Sequence, residues 1–288
     1  MTEAANNQAG PGTPIGRVLV LLDGSRMSYA ALNAAAEIAA RTGAEVLGVF
    51  VEERNLLRSA GYGFAREVGS SSGVSRPFDP VELEQRLQRL AGQARQALAG
   101  VVAHYGGRHA LSIARGSVVE EVLALAGPQD LLVLGRVGWS SAPGGRLGST
   151  ARGLFRRSPG RVLLWCDKQI LPQGRIVVFL NEHEDANRRA VMAAAEAVGH
   201  SRQPVTLLLG PGSDIPPEGL QRIRQELGIP ESDIRVGSLP ATDPVTVARV
   251  LRQERAAQLV LSRECTLLRE PGSDQLLLAL NLPVTITP

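Results

Sequence analysis

Two segments of the chain read almost alike: GRVLVLLD at 16–23 and GRIVVFLN at 174–181. Each is an apolar run short enough for a buried strand, and each leads into an alanine-rich stretch containing AAAE, at 34–37 and at 193–196. A second pair lies further on, VVEEVLALAGPQDLLVLGR at 118–136 against VTVARVLRQERAAQLVLSR at 245–263, each a helical pattern running into an apolar run. The chain is an internal duplication, so whatever one half folds into, the other must approximate. Its 288 residues leave about 140 for each copy, an ordinary domain size.

In the first half the pattern predicts strands at 17–22, 45–51, 109–114, 130–134 and 161–165, with helices at 26–41, 80–105, 117–127 and 149–157. The second half repeats this with strands near 175–180, 204–209, 233–237, 257–261 and 284–287 and a much shorter middle helix. Continuous apolar strands alternating with helices imply right-handed crossovers, hence an α/β fold of two open, mainly parallel five-stranded sheets with helices on both faces. The polar stretch DKQILPQG marks the boundary: residues 1–15 read as a disordered tail, 16–166 as the first domain, 167–173 as a linker and 174–288 as the second domain. Residues 52–80 are a long connection that only the first half possesses, in which Leu56, Leu57, Phe64 and Phe78 are apolar enough to pack on something.

Composition narrows the function classes. The ~18 consecutive apolar residues of a membrane span do not occur, and the N-terminal stretch has no basic region followed by an apolar core, which points to a cytoplasmic protein. Cys166 and Cys265 have no metal-like spacing and suit a reducing compartment where cysteines serve as small hydrophobes. The net charge is only +3, with arginines scattered between acids, and 3% aromatic content leaves little for base stacking, which argues against nucleic acid.

The stretch LGRVGWSSAPGGRLGST at 134–150 follows the run DLLVL and carries five glycines. In an open parallel sheet, ligands sit outside the carboxyl ends of the strands, where the strand order reverses. The loop begins at such an end and finishes at Gly148-Ser149-Thr150, where a helix starts, so unpaired N–H groups and the positive helix end would face the crevice. Ser149 is able to cap that helix or donate to a phosphate oxygen, and Gly135, Gly138 and Gly148 would permit close approach and positive φ angles. On residue types alone, a flexible connection explains the loop equally well.

The spacing Gly135-x2-Gly138-x9-Gly148-Ser149 resembles the nucleotide loop of the universal stress protein family. Asp23-Gly24-Ser25 at the first strand's end, GAEVLGVFVEE (43–53), RGSVVEEVLALA and SPGRVLLW resemble further family segments, so nearly the whole first half is covered. The resemblance implies strand order 3-2-1-4-5 in each sheet and closing strands that pair domains or protomers, as in a homodimer. It also implies a site for ATP, or for ADP or AMP, with Mg2+ as an accompanying ion. Position by position, Leu22 and Asp23 would contact the adenosine, Val51 the adenine, Gly135, Arg136, Val137 and Gly138 the ribose and first phosphates, and Gly148, Ser149 and Thr150 the distal ones. Residue chemistry by itself reads Asp23 as a turn cap, and Arg136 and Arg146 as solvated arginines. The implied role is a nucleotide-responsive stress regulator or protective factor with an unidentified protein partner. A scaffold that binds no nucleotide and a slow ATP-hydrolysing enzyme are the alternatives.

Arg161 stands where the family usually has a proline, and the 52–80 insertion could crowd the adenine pocket. In the second half Asn181 replaces the aspartate, Ser262 replaces Gly135, and the loop to Gly272-Ser273 is three residues shorter, with Glu264 and Glu270 added. This copy is expected not to bind nucleotide. No GxxxxGK[ST], SGGxDS, HxGH or GxSxG occurs, and no nucleophile or general base is recognisable, so no enzyme is expected. In Glu182-His183-Glu184-Asp185 the expectation is a helix capped by Asp185, with a metal site the lesser reading, while Glu120 and Glu121 suit a helix's first turn.

Overall fold

The computed structural model describes residues 15–69, 72–136, 147–166, 174–269 and 272–288. Its first half runs β1 (Arg17–Leu21), α1 (Arg26–Thr42), β2 (Glu45–Glu53), α2 (Arg54–Ala60), the short strands β3 (Arg66–Val68) and β4 (Ser75–Pro77), α3 (Pro80–Tyr105), β5 (His109–Gly116), α4 (Val118–Leu125), β6 (Leu131–Gly135), α5 (Ser149–Arg157) and β7 (Arg161–Trp165). The second half runs β8 (Arg175–Leu180), α6 (Glu184–Ser201), β9 (Val205–Leu209), α7 (Pro217–Leu227), β10 (Ile234–Ser238), α8 (Pro244–Gln253), β11 (Ala256–Ser262), α9 (Thr266–Arg269), α10 (Ser273–Ala279) and β12 (Val284–Thr287). The strands and helices expected from the apolar pattern are all present within a few residues. Helix α2 and the β3–β4 hairpin, both inside the insertion, are additions. The expected tail, apart from Ile15, and the linker at 167–173 lie outside the described residues.

Local chemistry explains the boundaries. Helix α1 starts at Ser25, whose hydroxyl accepts the N–H of Ser28, and stops at Gly43 in the left-handed region (φ 69°). Helix α3 starts where Asp79 accepts from Val81 and Glu82, with Pro80 in the first turn, and ends at Gly106.

The strands align as β5-β2-β1-β6-β7 in the first half and β10-β9-β8-β11-β12 in the second, so each half has the order 3-2-1-4-5. The two sheets are not separate, however. Strands β7 and β12 pair antiparallel, Leu164 opposite Val284 and Val162 opposite Ile286, which fuses the halves into one ten-stranded sheet. Two apolar edge strands present unpaired N–H and C=O groups, and pairing them with each other satisfies both rows. The register is centred on Leu163 and Thr285, so the halves are related by an approximate twofold axis through that pair.

The fusion shapes the core. On one face, α4, α5, α8 and α10 cover a single apolar cluster that crosses the junction, including Leu132, Leu154, Phe155, Phe179, Leu251 and Leu277. On the other face the cover is divided. In the first half α1 and α3 bury Val18, Val20, Leu32 and Leu98, and in the second α6 and α7 bury Ile176, Val178, Val191 and Ile223. Cys166 and Cys265 are free and buried, and burial pushes the Cys265 thiol up to about 11, which keeps it protonated at neutral pH. Among the described residues no helix is long and apolar enough to cross a membrane.

Candidate functional site

The carboxyl ends of β1, β2 and β6 bring Leu22, Asp23, Val51 and Gly135 to one side of the first half. Leu22 is buried and its N–H donates to the carbonyl of Val49 (2.9 Å), which leaves Asp23 to begin the turn into α1. Asp23 Oδ1 accepts the N–H of Ser25 at 2.9 Å, a two-residue aspartate turn, so the turn-cap reading of this residue is real. Gly24 between them has φ +79°, and a Cβ there would lie 2.7 Å from the Leu90 side chain. The backbone angle favours glycine at that position, and a larger residue would also displace the end of the Leu90 side chain.

Gly135 is the last residue of β6, paired with Trp165. Val137, Gly138 and Arg146 lie outside the described residues. The far end of the loop returns beside its start, because the N–H of Gly148 donates to the carbonyl of Arg136 at 3.1 Å. Gly148 has φ −53°, so it does not use the positive angles that glycine allows, and it is Gly148 that caps α5. Ser149 is the first helical residue, not the cap. The N–H groups of Ser149, Thr150 and Ala151 precede the first intrahelical bond, from Arg152 N–H to the carbonyl of Gly148.

The neighbouring helix start differs. The N–H of Val118 at the head of α4 donates to Glu53 Oε2 (3.3 Å), while the Glu121 carboxylate lies so close over Gly116 that a Cβ there would sit 2.0 Å from its oxygen. Glu120 and Glu121 are in the first turn of α4, as their charge favours. The first turn of α5 contains no acidic residue. Of the two helix starts, only that of α5 is left electropositive by its own sequence.

Arg136 overturns the expectation for its side chain. It is 4% exposed, and its guanidinium crosses to the second half, donating to the carbonyls of Leu280 and Leu282. Its guanidinium is engaged at the junction, neither turned to the crevice nor left in solvent. Burial pushes its pKa down to about 10, still high enough to hold the charge at neutral pH. Arg263, the residue after β11 as Arg136 is after β6, does the reciprocal thing, donating to the carbonyls of Arg156 (3.0 Å) and Ser158 (2.5 Å). Ser158 and Leu280 are the C-cap residues of α5 and α10, so each half sends one arginine to the helix end of the other. A guanidinium suits that position because the last carbonyls of a helix lack partners and carry partial negative charge. The repeat held the signal: arginine stands at both 136 and 263 although the glycine before it and the loop after it differ. Arg161 also crosses the junction, to Glu196 at 2.5 Å, and Arg152 pairs with Asp274 at 2.8 Å.

The second copy of the crevice is filled. Asn181 Oδ1 accepts from His183 N–H at 2.7 Å, the same turn that Asp23 makes, and Asn187 bonds both the N–H and the carbonyl of Asn181. The loop after β11 folds inward, with Cys265, Leu267 and Leu268 all buried. His183, not Asp185, caps α6, and among the described residues no group of three or more His, Cys, Asp or Glu could hold a metal. In the insertion, Leu56, Leu57 and Phe78 pack against the core beneath α1 and α3. Phe64 is 82% exposed and stacks on Tyr62 with ring centroids 5.4 Å apart.

No curated protein matches the chain in sequence. Its fold matches a universal stress protein from Archaeoglobus fulgidus DSM 4304, with a TM-score of 0.69 at 12% identity over 95% of this chain and 96% of that one. It also matches a protein described as a putative universal stress protein from Pseudomonas aeruginosa UCBPP-PA14, with a TM-score of 0.60 at 15% identity over 95% and 93% of the two chains. The cytoplasmic domain of a prokaryotic cation chloride cotransporter has the same overall fold, with a TM-score of 0.51 at 13% identity over 94% of each chain. The sequence profile of the universal stress protein family matches residues 14–165, just over half of the chain, and the chain therefore belongs to the universal stress protein family.

Proposed function

We propose that the first half binds ATP, or ADP or AMP, between Asp23 and the start of α5, and that the protein acts as a nucleotide-responsive regulator or protective factor in the stress response. The observation that carries this is the mouth of the glycine loop: Gly148 bonded to Arg136, followed by three N–H groups at the head of a helix whose first turn has no acid. Such a helix start favours an anion by charge and by hydrogen bonding together. Asp23 adds support. Asn181 makes the same turn in the second half without a charge, so the charge of Asp23 is more than the turn needs, and a carboxylate is the kind of group that recognises a hydroxyl-bearing ligand. Leu22, Val51, Gly135, Ser149 and Thr150 complete the proposed contacts among the described residues, with Val137 and Gly138 assigned by spacing alone. The Arg136 side chain is excluded from the set, and only its backbone takes part.

Isothermal titration of the full chain with ATP tests the reading: one saturable site is expected, and no binding at millimolar nucleotide would refute it. A second reading, an interaction scaffold without nucleotide, is favoured by the exposed Tyr62–Phe64 stack of the insertion and by Glu53, which already occupies the start of α4. No catalytic group is assigned in either reading.

A further inference from the structure

Away from the proposed nucleotide crevice, a cavity of about 310 Å³ opens at the junction of the halves, lined by Phe155, Arg156, Arg263, Leu268 and Arg269. Its two arginine-bearing walls come from different halves, the end of α5 on one side and the β11–α9 segment on the other. The pseudo-equivalent seam around Arg136 is closed over that residue, which is 4% exposed. Among the described residues, the seam at Arg263 is the more open of the two.

Among the described residues, the charges in the open seam do not balance. Arg263 spends two donors on the carbonyls of Arg156 and Ser158, while its Nε is buried without a hydrogen-bond partner among the described residues. Those same bonds take up the carbonyls at the end of α5, so the helix end does not account for the Arg156 side chain. Arg156 lies over the Phe155 ring at 5.8 Å and is exposed, as is Arg269, and neither pairs with a carboxylate among the described residues. The nearby Glu264 is drawn toward Arg189 at 3.7 Å. Burial, and then repulsion from Arg189, hold the Arg263 guanidinium below the usual arginine range, although Glu264 pulls the other way.

We propose that this cavity is a second ligand site, distinct from the nucleotide crevice, that takes the phosphoryl group of a small phosphomonoester, with Arg156 and Arg269 as the gripping residues and Phe155 and Leu268 as the apolar wall. Planar guanidinium forks match phosphate oxygens two at a time, and a dianion neutralises the local excess where a monocarboxylate leaves part of it. The apolar wall suits an organic group attached to the phosphate. Because the site spans both halves, its occupant would bear on their docking.

The test is titration of the full chain with phenyl phosphate and with inorganic phosphate, repeated on the double variant Arg156→Ala/Arg269→Ala and on Arg156→Lys/Arg269→Lys. Both side chains are exposed, so thermal melting of either variant should match the parent. Saturable binding of phenyl phosphate is expected, tighter than that of inorganic phosphate, at least tenfold weaker in the alanine variant and intermediate in the lysine variant. ATP binding should be the same in all three proteins, which separates failure of this proposal from failure of the nucleotide reading. No saturable binding of either probe at millimolar concentration, or binding undiminished by the alanine variant, would overturn it.

Discussion

The loop after β6 and the loop after β11 begin from the same frame and reach opposite ends. Each follows a buried parallel strand, each starts beside an arginine that crosses to the other half, and each ends on a glycine cap, Gly148 for α5 and Gly272 for α10. The first keeps Gly135 and a thirteen-residue step from it to Gly148, at the head of a helix whose first turn holds no acid. In the second, Cys265, Leu267 and Leu268 turn inward, Asn187 bonds across the neighbouring turn, and the space is taken by the protein itself. What separates a crevice from a core here is a handful of side chains, not the fold that carries them.

The arginine pair gives the sharpest way to break that comparison. Replacing Arg136 by Ala leaves the buried Leu280 carbonyl and the half-buried Leu282 carbonyl without that donor and should cost about 3–4 kcal/mol, whereas Arg263→Ala, at a half-buried position, should cost about 1–2 kcal/mol. Urea denaturation of the two variants measures both, and equal losses would mean that the two seams are equivalent after all. At Gly24, substitution by Ala forces a left-handed backbone and a contact with Leu90, for a loss of about 1–2 kcal/mol by the same method. Asp23→Asn should preserve the turn, as Asn181 does in the other half, with stability changed by less than about 0.5 kcal/mol. ATP affinity should nevertheless fall about tenfold, or roughly 1.4 kcal/mol, in calorimetric titration. If affinity is unchanged, Asp23 is a turn cap and nothing more.

The smallest expected effect concerns α4 and α5, tied by the two bonds between Arg157 and Glu120, at 2.6 and 2.9 Å. The hydrogen bond from Arg157 holds the Glu120 carboxyl below its ordinary value. Its stabilisation is therefore present above the unfolded-state pKa and is lost as pH falls through the lower folded value. Glu120→Gln should lower the melting temperature slightly at neutral pH and leave it unchanged in strong acid.

The sequence is informative about strands because burial on both faces demands unbroken apolar runs, and 18–22 and 176–180 are such runs. The turn at Asp23 and the start of α5 were legible for a similar reason, being set by residues within three positions of each other. Arg136 was not. Its acceptors lie 144 and 146 residues away, and the residue type alone says only that a charge must be satisfied somewhere. The pairing of β7 with β12 was open between one chain and two, since an apolar edge strand fits either partner. Helix α2 and the β3–β4 hairpin are short, largely exposed elements, where apolar periodicity has little to report.

The antiparallel junction of β7 and β12 has a consequence for how this protein can change. In a dimer of identical subunits joined along such an edge, every substitution appears twice and every contact must suit its own mirror across the axis. Here both edges belong to one chain, so their association does not weaken on dilution, and each position is altered once. Arg161 can therefore meet Glu196 without a reciprocal pair, and one seam can close over its arginine while the other stays open. Covalent linkage has released the two halves from the obligation to remain alike.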